Sequence, residues 1–223
     1  MKHHYKNKKG FTLAEVLITL GIIGVVAALT IPTLVANYRK KVVVSKIKKA
    51  YSDLQQAVKL SEADNGSCDS WDWASFDDWY EAESFGQTYL YKYMKNVGKV
   101  SHIYVTGSDG DWYPNTLNGD KNFRSNVIHT WNDMLIAVSA LDVFESRFSS
   151  LLIFIDIDGA KGYDTLGKDV FLFQLNEDGR LFPYCLNLNS RDEILKKGVS
   201  GECGAAQIMM DGWEIKKDYP AKL

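Results

Sequence analysis

The strongest constraint on this chain is an apolar run of about twenty-five residues, Phe11 to Ala36, whose only formal charge is Glu15. As a helix rising about 1.5 Å per residue, it is long enough to cross the ~30 Å hydrocarbon layer of a bilayer. A carboxylate near the start of a membrane span costs roughly 2.5–3.5 kcal/mol on insertion scales, so it marks a functional residue by default. Ahead of the run, Lys2, Lys6, Lys8 and Lys9 lead into Gly10. Basic residues beside a span keep that end on the cytoplasmic side. His3 and His4 read as two polar residues of the same leader.

The string Gly10-Phe11-Thr12-Leu13-x-Glu15, followed by Gly21, Gly24 and Pro32, resembles the cleavage and methylation segment of type IV pilins and of type II secretion pseudopilins. The resemblance covers the first fifth to quarter of the chain. It implies that Gly10 is the last leader residue, cut by a prepilin peptidase, and that Phe11 becomes an N-methylated N-terminus. It implies that Glu15 pairs with the freed amine of a neighbouring subunit on assembly. Pro32 matches the proline that lies beside a locally melted part of the helix in such filaments. The partners implied are the peptidase, other pilin or pseudopilin subunits and inner-membrane lipids. Two plainer readings compete. A secretory signal cut after Val26-Ala27-Ala28 is disfavoured because signal cores run to about 7–15 residues and exclude a Glu. A plain single-span anchor accounts for the length but leaves the Gly-Phe-Thr-Leu-x-Glu string to chance.

Beyond the span, Val43, Ile47, Ala50, Leu54 and Ala57 recur at alternating steps of four and three, and Val44, Tyr51 and Val58 widen the stripe. That period predicts an amphipathic helix. A single helix from Phe11 to about Asp64 would be about 80 Å long, with Asn65-Gly66 as its stop signal. Pro32 removes one hydrogen bond and crowds the carbonyl four residues back, which predicts a kink or a meltable turn near Ala28. Gly21 and Gly24 offer small faces for close helix contact. The chain thus divides into a leader (1–10), a transmembrane helix (11–36), an amphipathic continuation (37–64) and a head domain (65–223). A head of ~150 residues is ample for one core.

Within the head, Asp77 to Tyr93 includes a short helix, and Gly98 to Arg124 is rich in turns, notably at Ser108 to Asp111 and Pro114 to Asp120. Strands concentrate later: Met134–Ala140 after the Asn132-Asp133 turn, Leu151–Ile157, Val170–Leu175, and Leu181–Tyr184 across the Glu177-Asp178-Gly179 turn. A long N-terminal helix followed by a late antiparallel sheet is an α+β arrangement. It is also the pilin-like fold that the N-terminus implies, with the helix packed on the sheet. More loosely, Asp156 to Phe171 resembles the sheet region of bacterial prepilin-like proteins.

The formal charge is only −2, but its distribution is uneven. Arg39 to Lys59 carries seven positive residues against Asp53 alone, whereas Ser61 to Tyr91 carries eight acidic residues and no Lys or Arg. The basic run beside a span meets lipid headgroups or a neighbour's acidic surface more simply than nucleic acid. Trp71, Trp73, Phe76, Trp79, Tyr80, Phe85 and Tyr89 punctuate the acidic stretch; they read as rings folded over helix and sheet rather than as a sugar-binding face. His102 and His129 read as packing residues. No nucleophile elbow, zinc-protease motif, Cys-x-x-Cys or phosphate loop is present, so the chain does not read as an enzyme. Asp156, Asp158, Asp164 and Asp169, among Gly159, Gly162 and Gly167, are a candidate Ca2+ ligand set, since calcium takes 6–8 oxygens. The EF-hand pattern is not followed: counting from Asp156, its glycine position holds Lys161 and its glutamate position Gly167. The plainer reading is a solvated loop whose Asp residues make local turns. Three cysteines suit one bridge in an oxidising compartment. Cys185 and Cys203 bracket a loop next to the predicted hairpin and read as the bonded pair, with Cys68 free; a bond from Cys68 to either partner is the alternative. These features point to a structural subunit, and secondarily to a minor pilin-like binding module for adhesion or DNA uptake.

Overall fold

The computed structural model describes residues 10–73, 79–98, 112, 114–120, 125, 127–144, 147–159, 161, 164–188 and 190–222, with the backbone alone at 79–80, 141–144 and 147–149. The leader up to Lys9, the start of the predicted Asp77–Tyr93 helix, His102 and the turn at Ser108 to Asp111 lie outside the described residues. The chain divides into two compact units, residues 1–39 and 40–223. Helix α1, Leu13–Asn65, is continuous through both. In the first unit it is unbroken at Pro32, so the turn expected to melt near Ala28 is helical here.

In the second unit, α1 buries Ile47, Ala50, Leu54, Ala57 and Val58, the stripe that the four-and-three spacing predicts. It ends at Asn65, whose side-chain amide donates back to the Ser61 carbonyl at 3.1 Å. Gly66 then takes φ +84°, the left-handed conformation that stops a helix with little steric cost in glycine. Helix α2, Trp79–Tyr89, and a short turn of helix at Tyr91–Tyr93 follow. The sheet comprises β1 (Val97–Gly98), β2 (Ile128–Trp131), β3 (Met134–Phe144), β4 (Arg147–Asp156), β5 (Val170–Asn176) and β6 (Leu181–Pro183). Each strand pairs antiparallel with the next, so spatial order equals sequence order. Helices α3 (Arg191–Lys197) and α4 (Gly204–Met210) close the chain.

The sequence reading found the cores of β3 to β6. It stopped β3 four residues early, started β4 four residues late, and carried β4 and β6 one residue too far, to Ile157 and Tyr184. It missed β1 and β2. Strand β2 has only four residues, with Thr130 exposed, too short for a clear alternation. Its existence depends on the two-residue turn in which Asn132 accepts φ +55° and sets Trp131 opposite Met134.

Both faces of the sheet are covered, and this explains the near-continuous apolar run of β4. Leu151, Ile153 and Ile155 join the α1 stripe, Phe171, Phe173 and Leu175 in the main core. Leu152 and Phe154 point the other way, against Trp112, Leu166, Val170 and Leu172. Of the acidic, aromatic segment, Trp71, Trp73 and Phe85 pack in the main core as read, with Trp71 stacked on Tyr89 at 4.8 Å between centroids; Phe76 and the side chains of Trp79 and Tyr80 lie outside the described residues. The indole N–H groups of Trp71 and Trp73 donate to the Gly66 and Cys68 carbonyls. Three lysines of the basic run turn onto their own head. Lys46 donates to Asp133 and to the Ile157 carbonyl, Lys48 lies over Trp213, and Lys49 meets Asp53 and the Trp131 ring. At the C-terminal end Arg191 makes a bidentate contact to the buried Asp211 and reaches Asp218, joining α3 to the end of α4.

His129 does more than pack. It is buried on β2, with Nε2 2.6 Å from Glu83 Oε1 on α2 and Nδ1 3.1 Å from the Gly98 carbonyl on β1. A carbonyl only accepts, so Nδ1 must donate, and a proton must lie between Nε2 and the Glu83 carboxylate, an arrangement that favours the imidazolium. Burial alone would lower its pKa, but the hydrogen bond and charge of Glu83, with the Gly98 carbonyl, raise it above the ordinary 6.5. The sign follows from linkage: a raised imidazole contributes stability that is complete below 6.5 and is lost as pH rises through the folded value. His129→Gln should therefore cost about 3 kcal/mol at pH 6, the order expected for breaking a buried pair. The gap from wild type should narrow by pH 8, as calorimetric melts at the two pH values would read. An equal gap at both would show that the ring is neutral.

Candidate processing and assembly site

The first residues of the described chain form a built helix start. Gly10 and Phe11 precede the helix, with Phe11 90% exposed, and Thr12 stands at the N-cap position before Leu13. The Glu15 Oε2 accepts from both the Thr12 amide and the Thr12 hydroxyl, each at 2.8 Å, and the Glu15 amide donates to Thr12 Oγ1 at 3.2 Å. This is a reciprocal capping box, in which the cap hydroxyl and the third-residue carboxylate satisfy each other's backbone N–H. The sequence reading names Thr12 in the methylation-type string and takes Glu15 as an assembly charge, without reading Thr12 as its capping partner. The signal was there: Thr-x-x-Glu directly before an apolar run. From Leu13 to Val35 the large apolar side chains stand exposed, and α1 is the one helix among the described residues long and apolar enough to cross a membrane. Thr19 and Thr30 hydroxyls donate to carbonyls of the preceding turn, removing polar groups that lipid would leave unpaired. A Cβ built at Gly10, Gly21 or Gly24 meets nothing within 4 Å, so no demand within the chain itself requires glycine there.

Residues 5–31 match the family model of the prokaryotic N-terminal methylation motif. That match covers the end of the leader and the first part of α1, including Gly10, Phe11 and Glu15. Residues 33–127 match a second model, a family of unknown function (DUF6613), which spans the α1 stripe, α2 and β1. No curated protein and no solved structure matches the chain.

The Gly10–Phe11 bond lies outside the helix, in backbone a peptidase can extend, while the capping box begins one residue further on. Among the described residues, Thr12 is the hydrogen-bond partner of the Glu15 side chain.

The four aspartates of the predicted ligand set come together around the β4–β5 loop. Asp156 ends β4, Asp158 follows in the loop, and Asp164 and Asp169 lie on its return. Asp156, Asp164 and Asp169 are buried. Trp112 Nε1 donates to Asp164 Oδ2 at 2.5 Å, and the Thr165 amide donates to Asp169 Oδ1. The Asp158 amide donates to Asp156 Oδ1 at 3.1 Å. Burial first, and then the charges of Asp164 and Asp158, push the Asp156 carboxyl well up. Asp164 is raised by burial and by Asp158, against the Trp112 bond. Asp169 rises to about 6 through burial, with the Thr165 N–H opposing and Asp158 and Asp164 adding. Among the described residues no three His, Cys, Asp or Glu side chains close on a single metal-holding point. Glycines hold the loop in place. A Cβ at Gly201 would come within 2.1 Å of the Leu166 carbonyl oxygen, and one at Gly167 within 2.7 Å of the Gly201 oxygen. Only bare backbone fits where these two segments cross.

The bond between Cys185 and Cys203 is present, with Cα atoms 5.4 Å apart and a sequence separation of 18. It ties the turn after β6 to the start of α4, in a small cluster with Ile194 and Ala206. Cys68 is free and buried; burial, with the nearby Glu62 charge, raises its thiol to about 12. Peptide mapping without reductant should give a Cys185–Cys203 linked peptide, and Cys68 should resist alkylation until the protein unfolds. Reduction, or paired Ser substitution, should cost ~3 kcal/mol in the loop-entropy model. A linked peptide containing Cys68 would overturn the assignment.

Proposed function

We propose that this chain is a prepilin-like structural subunit, anchored in the bacterial inner membrane by residues 11–36 with its head on the periplasmic or extracellular side. A prepilin peptidase removes the leader after Gly10, Phe11 is methylated, and the helix enters a type IV pilus or type II secretion pseudopilus beside other subunits. The observation that carries this reading is the helix start itself: an accessible Gly10–Phe11 bond, then a capped helix whose first turn holds the one charge of an exposed apolar run. The engagement of Lys46, Lys48 and Lys49 with the head supports structural use of the basic run over a nucleic-acid surface.

Glu15 then has two successive roles. Before assembly its Oε2 caps α1. A carboxylate can accept at both oxygens, so the cap does not exhaust it. In the bilayer an ionised group must be paired or hydrated. Within one helix the freed Phe11 amine points toward the interface, whereas a neighbour displaced along the filament axis can bring its own amine to Glu15. That contact offsets part of the desolvation of both groups and sets axial register, the best-attested use of a buried ionic pair.

Two experiments test this. Co-expressed with a prepilin peptidase, the protein should lose ten residues and begin at methylated Phe11 by intact mass. Gly10→Val should fold normally, since nothing crowds that position, yet stay uncut. A retained leader, or a new start near Leu29, would sink the reading. The second separates cap from register. Glu15→Gln keeps a side chain that serves in capping boxes but carries no charge, so insertion, cleavage and head stability should be unchanged while incorporation into filaments falls. Glu15→Val should show the same assembly defect and also fray the helix start. Glu15→Asp should fall between wild type and Gln. Normal incorporation of Glu15→Gln would show that the carboxylate acts only as a cap.

A further inference from the structure

A groove of about 250 Å3 runs beside α1 at the β1–β2 edge of the sheet. Lys49, Asp53 and Leu60 line one side, and Lys95, Asn96 and Asn132 line the other. The two asparagines form a fixed rim: both take left-handed backbone, at φ +62° and +55°, and Asn96 Nδ2 donates to Asn132 Oδ1 at 2.9 Å. Among the described residues no acceptor takes the Asn132 amide N–H groups. Lys95 is exposed, with no acidic partner among the described residues. Asp53 is the carboxylate of the lining, and Lys49 already binds it. The groove therefore has a surplus of donors and a shortage of anionic oxygens. Ligand pockets run to about 300–1,000 Å3; this smaller groove suits a carboxylate side chain better than a cofactor.

The complement lies at the other edge of the same sheet. Cys68 packs beside the β5–β6 turn, its Sγ 3.6 Å from the Asn176 carbonyl. Glu62, Asp69 and Asp178 all lie close enough to act on its thiol. Glu62 turns inward to the Cys68 amide, whereas Asp69 and Asp178 are exposed. Arg180 binds Asp178, and Asp69 has no basic partner among the described residues. We propose that the groove docks this acidic turn of a second copy, with Lys95 and the Asn132 amide of one head meeting Asp69 and Asp178 of the next. Because the two surfaces sit at opposite edges, β1 and β6, the contact is head-to-tail and repeats rather than closing as a symmetric pair. Exposed ion pairs hold weakly one by one, so the contact chiefly sets orientation and spacing between heads. It rests on the filament reading and names the surfaces through which that filament's heads would meet.

The test uses the full-length chain co-expressed with a prepilin peptidase, reading the cut by intact mass and incorporation from sheared filaments. Lys95→Glu and Asp69→Lys should each leave the cut and the melting temperature unchanged, since both side chains are exposed. Each should lower incorporation severalfold, and the double variant, with the charges exchanged, should recover most of it. A chain carrying Lys95→Cys and Asp69→Cys should give a ladder of disulfide-linked multimers on non-reducing gels, while each single variant stays monomeric. Normal incorporation of both charge variants, with cutting intact, would overturn this contact and leave the filament reading standing. A double variant no better than the singles would overturn it as well, and so would cross-linking that stops at dimers. If the wild-type chain is neither cut nor assembled, the filament reading fails and this contact fails with it.

Discussion

Every feature of the head depends on covering a sheet that is apolar on both faces. Strand β4 alternates Leu151, Ile153 and Ile155 toward α1 with Leu152 and Phe154 toward the opposite cluster, so neither face can be left to water. At roughly 25 cal/mol per Å2 of apolar surface, side chains of this size contribute on the order of 1.5–3 kcal/mol each when fully buried. The α1 stripe from Ile47 to Val58 closes one face together with α4 and the C-terminal Tyr219 and Ala221. Trp112 and Leu166 help close the other, and so place the loop that carries the four aspartates. The position of the carboxylates is therefore a by-product of core packing.

The two ends of α1 obey different rules. In the second unit α1 buries a single stripe, and Lys46, Lys48 and Lys49 beside it find acidic or aromatic partners. Before Arg39 they are apolar all round and exposed, which suits hydrocarbon or neighbouring helices and suits water poorly. A helix satisfies its backbone hydrogen bonds internally, so the same backbone geometry suits either surrounding. Glu15 is the exception in the apolar half, and the capping box shows how such a charge is held before any partner arrives.

Polar groups buried in the head fall into two kinds. The Arg191–Asp211 contact and the His129–Glu83 pair are complementary, with donors meeting acceptors over short distances. The Asp156–Asp158 pair is not, since like charges meet under burial. A fold tolerates the first kind as a fastener between elements. The second kind leaves acceptors facing one another under burial, a cost that packing elsewhere in the head must offset.

Local sequence determined the membrane-length run, the amphipathic stripe, the Asn65-Gly66 stop, the hairpin at Glu177 to Gly179 and the methylation-type N-terminus. Each is readable because it rests on contacts within a few residues or on a single period. Even the Thr12–Glu15 box was legible in this sense, though read only as a charge. Tertiary structure decided the rest. β2 exists because β3 offers it an edge and β1 because β2 does, and their side chains alone are too few to announce strands. His129 looked isolated because its partners, Glu83 and Gly98, are 46 and 31 residues away. Likewise, the spacing of the aspartates showed that they were near in sequence, but not which oxygens would be buried without partners. That outcome depends on where Trp112 and Thr165 arrive, and long-range packing places the Trp112 indole against a residue 52 positions away in the chain.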